Sequence, residues 1–209
     1  MQKRTFLSRF AAVAAVAAVA GAGLASRLSA AAPAAESGSS ASAQGAKQRA
    51  AVVYFTKTGN TESVARAVRA MTGADIYGVR TVKPYPEEYG ATTDIVKDEL
   101  DRNVIRELVP LEIDLTRYDV VVFATPTWWH HAAAPLLTKI REFPKGALNG
   151  KLVLTANTHG GGGLMHTRED FEKLLADSGA KLGTHLTVFG DVDEDDLKVR
   201  NWLRENNVL

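Results

Sequence analysis

The chain has 209 residues, 25 Lys and Arg against 24 Asp and Glu, a formal net charge of +1 and no cysteine. Near-neutrality gives no support for nucleic-acid binding, and the lack of cysteine excludes disulfides, thiolate catalysis, iron–sulfur ligation and a lipid-modified leader cysteine. Lys3, Arg4, Arg9 and Arg27 all fall within residues 1–35, which leaves 21 bases against 24 acids beyond them, too mild a balance to imply a strongly acidic docking face.

In chain order, Met1–Arg9 is short and basic, Phe10–Leu24 is apolar and Ala-rich, and Ser29–Ala35 supplies small residues for cleavage. This three-part order is the pattern of an export signal. The apolar run is shorter and less hydrophobic than the roughly 20 residues of a membrane span. A cleaved leader over residues 1–35 is therefore expected, with no span after processing and a periplasmic or secreted product. Lys3-Arg4-Thr5-Phe6-Leu7 resembles a twin-arginine signal, which exports folded proteins, except that Lys3 replaces the first Arg. A general secretory route stays open. Residues 36–49 are rich in Ser, Gly and Ala without periodicity and read as a flexible linker, so the folded domain is expected over 50–209.

Ala51-Val52-Val53-Tyr54-Phe55 reads as a buried strand. In the following helix Val64, Ala67, Val68 and Met71 fall at i, i+3, i+4 and i+7. Between them stands Thr56-Lys57-Thr58-Gly59-Asn60-Thr61. A strand–turn–helix of this kind aims backbone amides and the positive end of a helix dipole at one point, which suits a phosphate. Thr56, Thr58 and Thr61 add hydroxyl donors, and Gly59 permits a sharp turn. A nucleotide-triphosphate loop requires Gly-Lys-Ser/Thr, and here Asn60 follows Gly59. A dinucleotide loop requires three spaced glycines, and there is one. A single phosphomonoester remains, beside the alternative of an ordinary turn capped by Asn60 or Thr61.

Ala74–Val79 is the second expected strand. Lys83-Pro84-Tyr85-Pro86 must be extended. From Pro86 to Leu108 a helical rhythm through Ile95, Val96, Leu100, Val104 and Leu108 predicts a surface helix over one sheet edge. Asp119–Ala124 lacks polar alternation, as a central parallel strand does. It leads into a loop over Thr125–His131, and then Pro135 opens a helix. Lys151–Ala156 is a strand that empties into a loop over Asn157–Gly163. Thr167–Asp170 resembles a capping box ahead of Phe171, Leu174 and Leu175. Leu182–Phe189 is a fifth strand, and Asp193–Asp196 places acids before a helix with Val199, Trp202 and Leu203 on one face. Strands alternating with helices predict an α/β fold with a doubly wound five-stranded parallel sheet. The three unusual loops each follow a strand, so they share the edge where such sheets bind ligands.

Thr56-x-Thr58-Gly59-x-Thr61 resembles the FMN-phosphate loop of flavodoxins. The Trp128-Trp129 loop and Thr158-His159-Gly160-Gly161 resemble loops of one branch of flavodoxin-like proteins, and the likeness spans about Ala50–Leu209. The resemblance implies strand order 2-1-3-4-5 and FMN as cofactor. It implies that Thr56, Lys57, Thr58, Gly59, Asn60 and Thr61 hold the phosphate. Thr125, Pro126, Thr127, Trp128, Trp129 and His130 would lie along the isoalloxazine, with Thr158, His159, Gly160 and Gly161 on its other side. One Trp would stack on the ring and the other pack inward; Trp128 is placed nearer the ring. Four glycines after His159 suit a loop that brings amides close to a planar ligand. His159 is the candidate catalytic residue, a donor to the flavin N1/O2 edge that raises its potential. His130 and His131 serve a substrate or are solvated. The five histidines lack metal-ligand spacing, so no metal is expected. The function expected is that of an FMN-dependent redox protein. It would be either an electron carrier or a reductase using NAD(P)H and a quinone or similar acceptor. The alternative is a non-catalytic binding module on the same scaffold without FMN. Donor, acceptor and a homodimer covering the flavin edge are left open.

Overall fold

Val52, Val122 and Leu154 stand side by side on three neighbouring strands, all fully buried. Around them the computed structural model describes residues 48–209; the expected leader and most of the expected linker lie outside the described residues. The elements are β1 (Ala50–Phe55), α1 (Asn60–Thr72), β2 (Asp75–Val79), α2 (Tyr89–Asp101), a 3-10 turn (Leu115–Arg117), β3 (Val120–Trp128), β4 (His131–Ala132), α3 (Ala134–Glu142), β5 (Leu152–His159), α4 (Thr167–Leu175), β6 (Lys181–Phe189) and α5 (Leu197–Glu205). The main strands are parallel in the order β2-β1-β3-β5-β6, and short β4 pairs antiparallel with β3. With β4 set aside, this is the expected order 2-1-3-4-5.

Strand side chains alternate between two faces, and each face has its own core. Val52, Val120, Val122 and Leu154 pack against Val64 and Val68 of α1 and Val199, Trp202 and Leu203 of α5. Val53, Val121, Phe123 and Val153 pack against Leu136 and Ile140 of α3 and Phe171 and Leu175 of α4. That double covering is why β3 reads as unbroken apolar sequence. The strands are staggered where it matters. Tyr54 of β1 pairs with Ala124, but β3 runs on to Trp128 and β5 to His159. A step is left beside the loop after β1. Among the described residues, no helix is long and apolar enough to cross a membrane.

Four local expectations are corrected. The helix expected to reach Leu108 ends at Asp101, because Asn103 takes a left-handed φ of 50°. The chain then doubles back, with Val82 N donating to Glu107 O and Val109 N to Arg80 O. Nor does α2 merely cover a sheet edge, since Thr92, Thr93 and Val96 face the cavity described below. Residues Thr125–Trp128 and Asn157–His159 continue strands rather than forming loops. Finally, Thr167 is not a cap. His166 precedes α4 without a side-chain capping bond, and buried Thr167 turns its hydroxyl to Thr127.

Candidate functional site

β1 stops at Phe55, and Gly59 takes φ 97°, a left-handed conformation that a Cβ would strain. Thr56 Oγ1 accepts from Gly59 N at 3.0 Å, which closes the turn while leaving the Thr56 hydroxyl proton free. No side chain caps α1, so its first-turn amides and dipole are available to an anion. Asn60 and Thr61 are therefore the first helical residues rather than caps. Thr58 is exposed. Lys57 Nζ donates to Glu87 O at 2.8 Å, which ties this loop to the approach of α2. Thr61 is buried, and its hydroxyl lies 2.8 Å from that of Thr158 at the end of β5. The two loops are thus coupled directly.

Thr127 pairs with Ala132 and Trp128 with His131, so Trp129 and His130 form the two-residue turn of a hairpin. Both have positive φ, 46° and 71°. Such turns favour Asn-Gly; non-glycine residues held there cost of order 1 kcal/mol each and persist only where surroundings fix them. Here they are fixed. His166 N donates to His130 O, Ala132 N to Asp170 Oδ2 and Trp129 Nε1 to Thr93 O, all within 2.8–2.9 Å. His131 Nδ1 lies 3.0 Å from Asp170 and its ring stacks on His166.

The two tryptophans divide their roles in a way the sequence did not decide. The Trp128 indole meets Phe55 and Tyr85 edge-on, with ring centroids 5.3 and 4.9 Å apart. Tyr85 in turn donates to Glu99, which pairs with Arg106 over the Tyr85 ring. Burial and the bond to Glu99 push the Tyr85 phenol pKa up. Trp129 is instead 45% exposed. Trp128 borders the cavity but belongs to this aromatic cluster, and Trp129 presents the more open indole.

At the end of β5, Thr158 is buried and His159 Nδ1 accepts from Gly161 N at 3.1 Å. The remaining proton of a neutral His159 is thereby placed on Nε2. Gly161 and Gly163 have φ 137° and 74°. A Cβ on Gly160 would meet no protein atom within 4 Å, so the space beside it is open to a ligand. Sequence reasoning missed two residues here. Asn157, fully buried, donates to Thr127 Oγ1 at 2.7 Å and to Gly163 O at 3.2 Å. His185 on β6 lies 2.8 Å from Asn157 Oδ1 and 2.7 Å from Thr155 Oγ1. Burial, with a smaller contribution from Arg168, lowers the His185 pKa to about 4. The available signal was a polar residue at an inward strand position.

These segments enclose a cavity of about 650 Å³, within the size range of small-ligand sites. Of the expected site residues, Thr56, Lys57, Thr58, Asn60, Thr61, Pro126, Thr127, Trp128, Trp129, His130, Thr158, His159 and Gly160 line it. Tyr89, Thr92, Thr93, Val96, Gly162 and Met165 complete the wall. Gly59 and Gly161 contribute through backbone shape and do not line the cavity. The expectation for Thr125 is corrected: it is fully buried, and its Oγ1 accepts from Ala133 N at 3.0 Å, so it braces the hairpin instead. A separate depression of about 450 Å³ beside Met71, Glu194 and Arg200 lacks such convergence. Among the described residues, no group of three His, Asp or Glu is placed to hold a metal. The cavity can therefore receive a planar ligand with an anionic tail. Amides, hydroxyls and Lys57 stand at the α1 end, and indole and imidazole faces stand beside the ends of β3 and β5.

Solved structures share this fold. A flavoprotein from Bacteroides eggerthii is 24% identical with a TM-score of 0.63, covering 75% of this chain and 96% of its own. One from Bacteroides uniformis is 19% identical with a TM-score of 0.62, covering 76% and 99%. A Lactobacillus acidophilus flavoprotein, solved in complex with FMN, is 18% identical with a TM-score of 0.59, covering 74% and 98%. The family model described as Flavodoxin matches residues 49–206. This chain belongs to the flavodoxin family.

Proposed function

We propose that the cavity holds FMN and that the chain is a flavin-dependent redox protein. The observation that carries this reading is the convergence of the loop after β1, the β3–β4 hairpin and the end of β5 on one cavity with donors suited to a phosphate and faces suited to a ring. The residues present fit that group. Thr56, Thr58 and the first-turn amides of α1 would take the phosphate, Lys57 would offset its charge, and Trp129 would face the ring. FMN supplies electron and hydride transfer when bound; the protein supplies orientation, exclusion of water and control of potential. His159, with its proton on Nε2, is the donor positioned to favour a negatively charged ligand atom.

The mouth of the cavity favours a reductase over a carrier that docks through charge. Tyr89, Trp129 and Met165 line the cavity and stay largely exposed, at 81%, 45% and 44%. Such a rim suits a planar, weakly polar acceptor of the quinone class, with a nicotinamide as electron donor. Export under the leader of residues 1–35 completes the proposal, placing the flavin-loaded domain outside the cytoplasm.

Titration of the apoprotein with FMN and with riboflavin tests the phosphate assignment, since the two ligands differ by that group. Thr58→Val is expected to weaken FMN about tenfold, the loss of one charge-assisted hydrogen bond, and to leave riboflavin unchanged. Equal effects on both ligands would remove Thr58 from the phosphate site.

A further inference from the structure

The carbonyl of Gly163 can only accept a hydrogen bond. That fact orients a buried chain of polar groups. The Asn157 amide must present Nδ2 to Gly163 O, at 3.2 Å, and the same Nδ2 reaches Thr127 Oγ1 at 2.7 Å. Asn157 Oδ1 then faces His185, 2.8 Å from Nε2. The imidazole must therefore carry its proton on Nε2, and Nδ1 must accept from the Thr155 hydroxyl at 2.7 Å. At the other end, Thr127 Oγ1 accepts from Asn157 Nδ2 with one of its two lone pairs. Its own proton has two partners in the protein, Thr167 Oγ1 at 3.2 Å and Gly163 O at 3.4 Å. Both are long for an O–H donor, whose ordinary range is about 2.5–3.0 Å. Thr127 lines the cavity, so a ligand acceptor there takes that proton.

We propose that His185 is a positioning residue: acting through Asn157, it sets Thr127 as a hydrogen-bond donor into the cavity and holds the Gly163 carbonyl in place. His185 is not part of the cavity wall. It sits on β6 opposite Thr155, with its ring 6.2 Å from that of Phe171. Asn157 is the only link between it and Thr127 in this chain of bonds, and Asn157 is fully buried. Removing the imidazole leaves Asn157 Oδ1 without its donor, and the amide is then free to turn away from Gly163. The effect on ligand affinity rests on the FMN reading; the effect on the loop does not.

The test uses the full chain and four variants: His185→Leu, His185→Gln, Thr127→Val and the double variant His185→Leu/Thr127→Val. In the ligand-free wild type, nitrogen NMR of the imidazole is expected to show the Nε2–H tautomer. Amide exchange at His166 and Thr167, whose N–H groups donate to His130 O and Leu164 O just beyond Gly163, is expected to quicken about tenfold in His185→Leu, the loss of one buried hydrogen bond, while α1 on the opposite face is unchanged. His185→Gln, whose amide can donate to Asn157, is expected to restore most of the protection. FMN affinity is expected to fall about tenfold in His185→Leu and in Thr127→Val but to stay near wild type in His185→Gln, with His185→Leu adding less than about twofold on top of Thr127→Val. Fully additive losses, exchange that quickens across the whole sheet, or an Nδ1–H tautomer would overturn the relay. A wild type that takes up no FMN would overturn the cofactor reading alone, because the tautomer and exchange results decide the relay without ligand.

Discussion

Trp128 and Trp129 are adjacent, yet the first packs its indole against Phe55 and Tyr85 while the second is 45% exposed and held by Thr93 O. The consequences of removing them should differ in kind. Trp128→Ala is expected to cost about 3 kcal/mol of stability, as large aromatic truncations do. Trp129→Ala is expected to cost less than about 1 kcal/mol of stability but to weaken FMN about tenfold, the scale of an aromatic stacking contact. Urea melts and FMN titrations separate the two, and equal loss of stability in both would contradict this division. His185 gives the residue scale its pH dependence. Its pKa falls to about 4 in the fold, against roughly 6.5 when unfolded. As pH falls, the unfolded chain binds the proton first. The stability contributed by the neutral imidazole is therefore complete above about pH 6.5 and is lost between about 6.5 and 4, up to about 3 kcal/mol. Denaturant midpoints at neutral and mildly acidic pH should show this decline, and His185→Gln should flatten it.

At the scale of elements, the loop after β5 offers a clean separation of fold from ligand. Gly160 has no left-handed φ and open space at its Cβ, whereas Gly163 has φ 74°. Gly160→Ala should leave the melting temperature unchanged and weaken FMN by filling ligand space. Gly163→Ala should lower stability by about 1–2 kcal/mol through backbone strain. A destabilised Gly160→Ala would mean that the open space is used by the protein itself. The contrast also marks how far sequence reaches. The five main strands were legible because β1, β3 and β5 are buried on both faces and carry unbroken apolar runs. Their ends were not, because Thr125, Thr127, Asn157 and Thr158 are polar residues whose partners lie across the sheet or on other loops. The hairpin turn was hidden because Trp129-His130 lacks the Asn-Gly signature. The end of α2 was overshot because Val104 and Leu108 keep the helical spacing after Asn103 has broken the backbone. Most cavity-lining residues were named from the resemblance of three loops to those of flavodoxin-like proteins. Asn157 and His185, which stand behind the cavity wall, were not found, since their importance lies in a network and not in a pattern.

Across the whole molecule, the strand order places β1 between β2 and β3, and the chain reverses direction of growth there. Ligands of such sheets lie at the carboxyl ends of strands near that reversal, and the cavity occupies it. The stagger of β3 and β5 beyond β1 raises one wall, and α2 closes the other. Each level thus points to the same ligand: hydroxyls and amides at the shorter strand end, aromatic and imidazole rings at the longer ones, and a weakly polar mouth. The most direct measurement is the visible absorbance of the purified full-length protein, followed by mass analysis of whatever denaturation releases. The account predicts a yellow protein that releases one FMN per chain. A colourless protein that also fails to bind added FMN would contradict it.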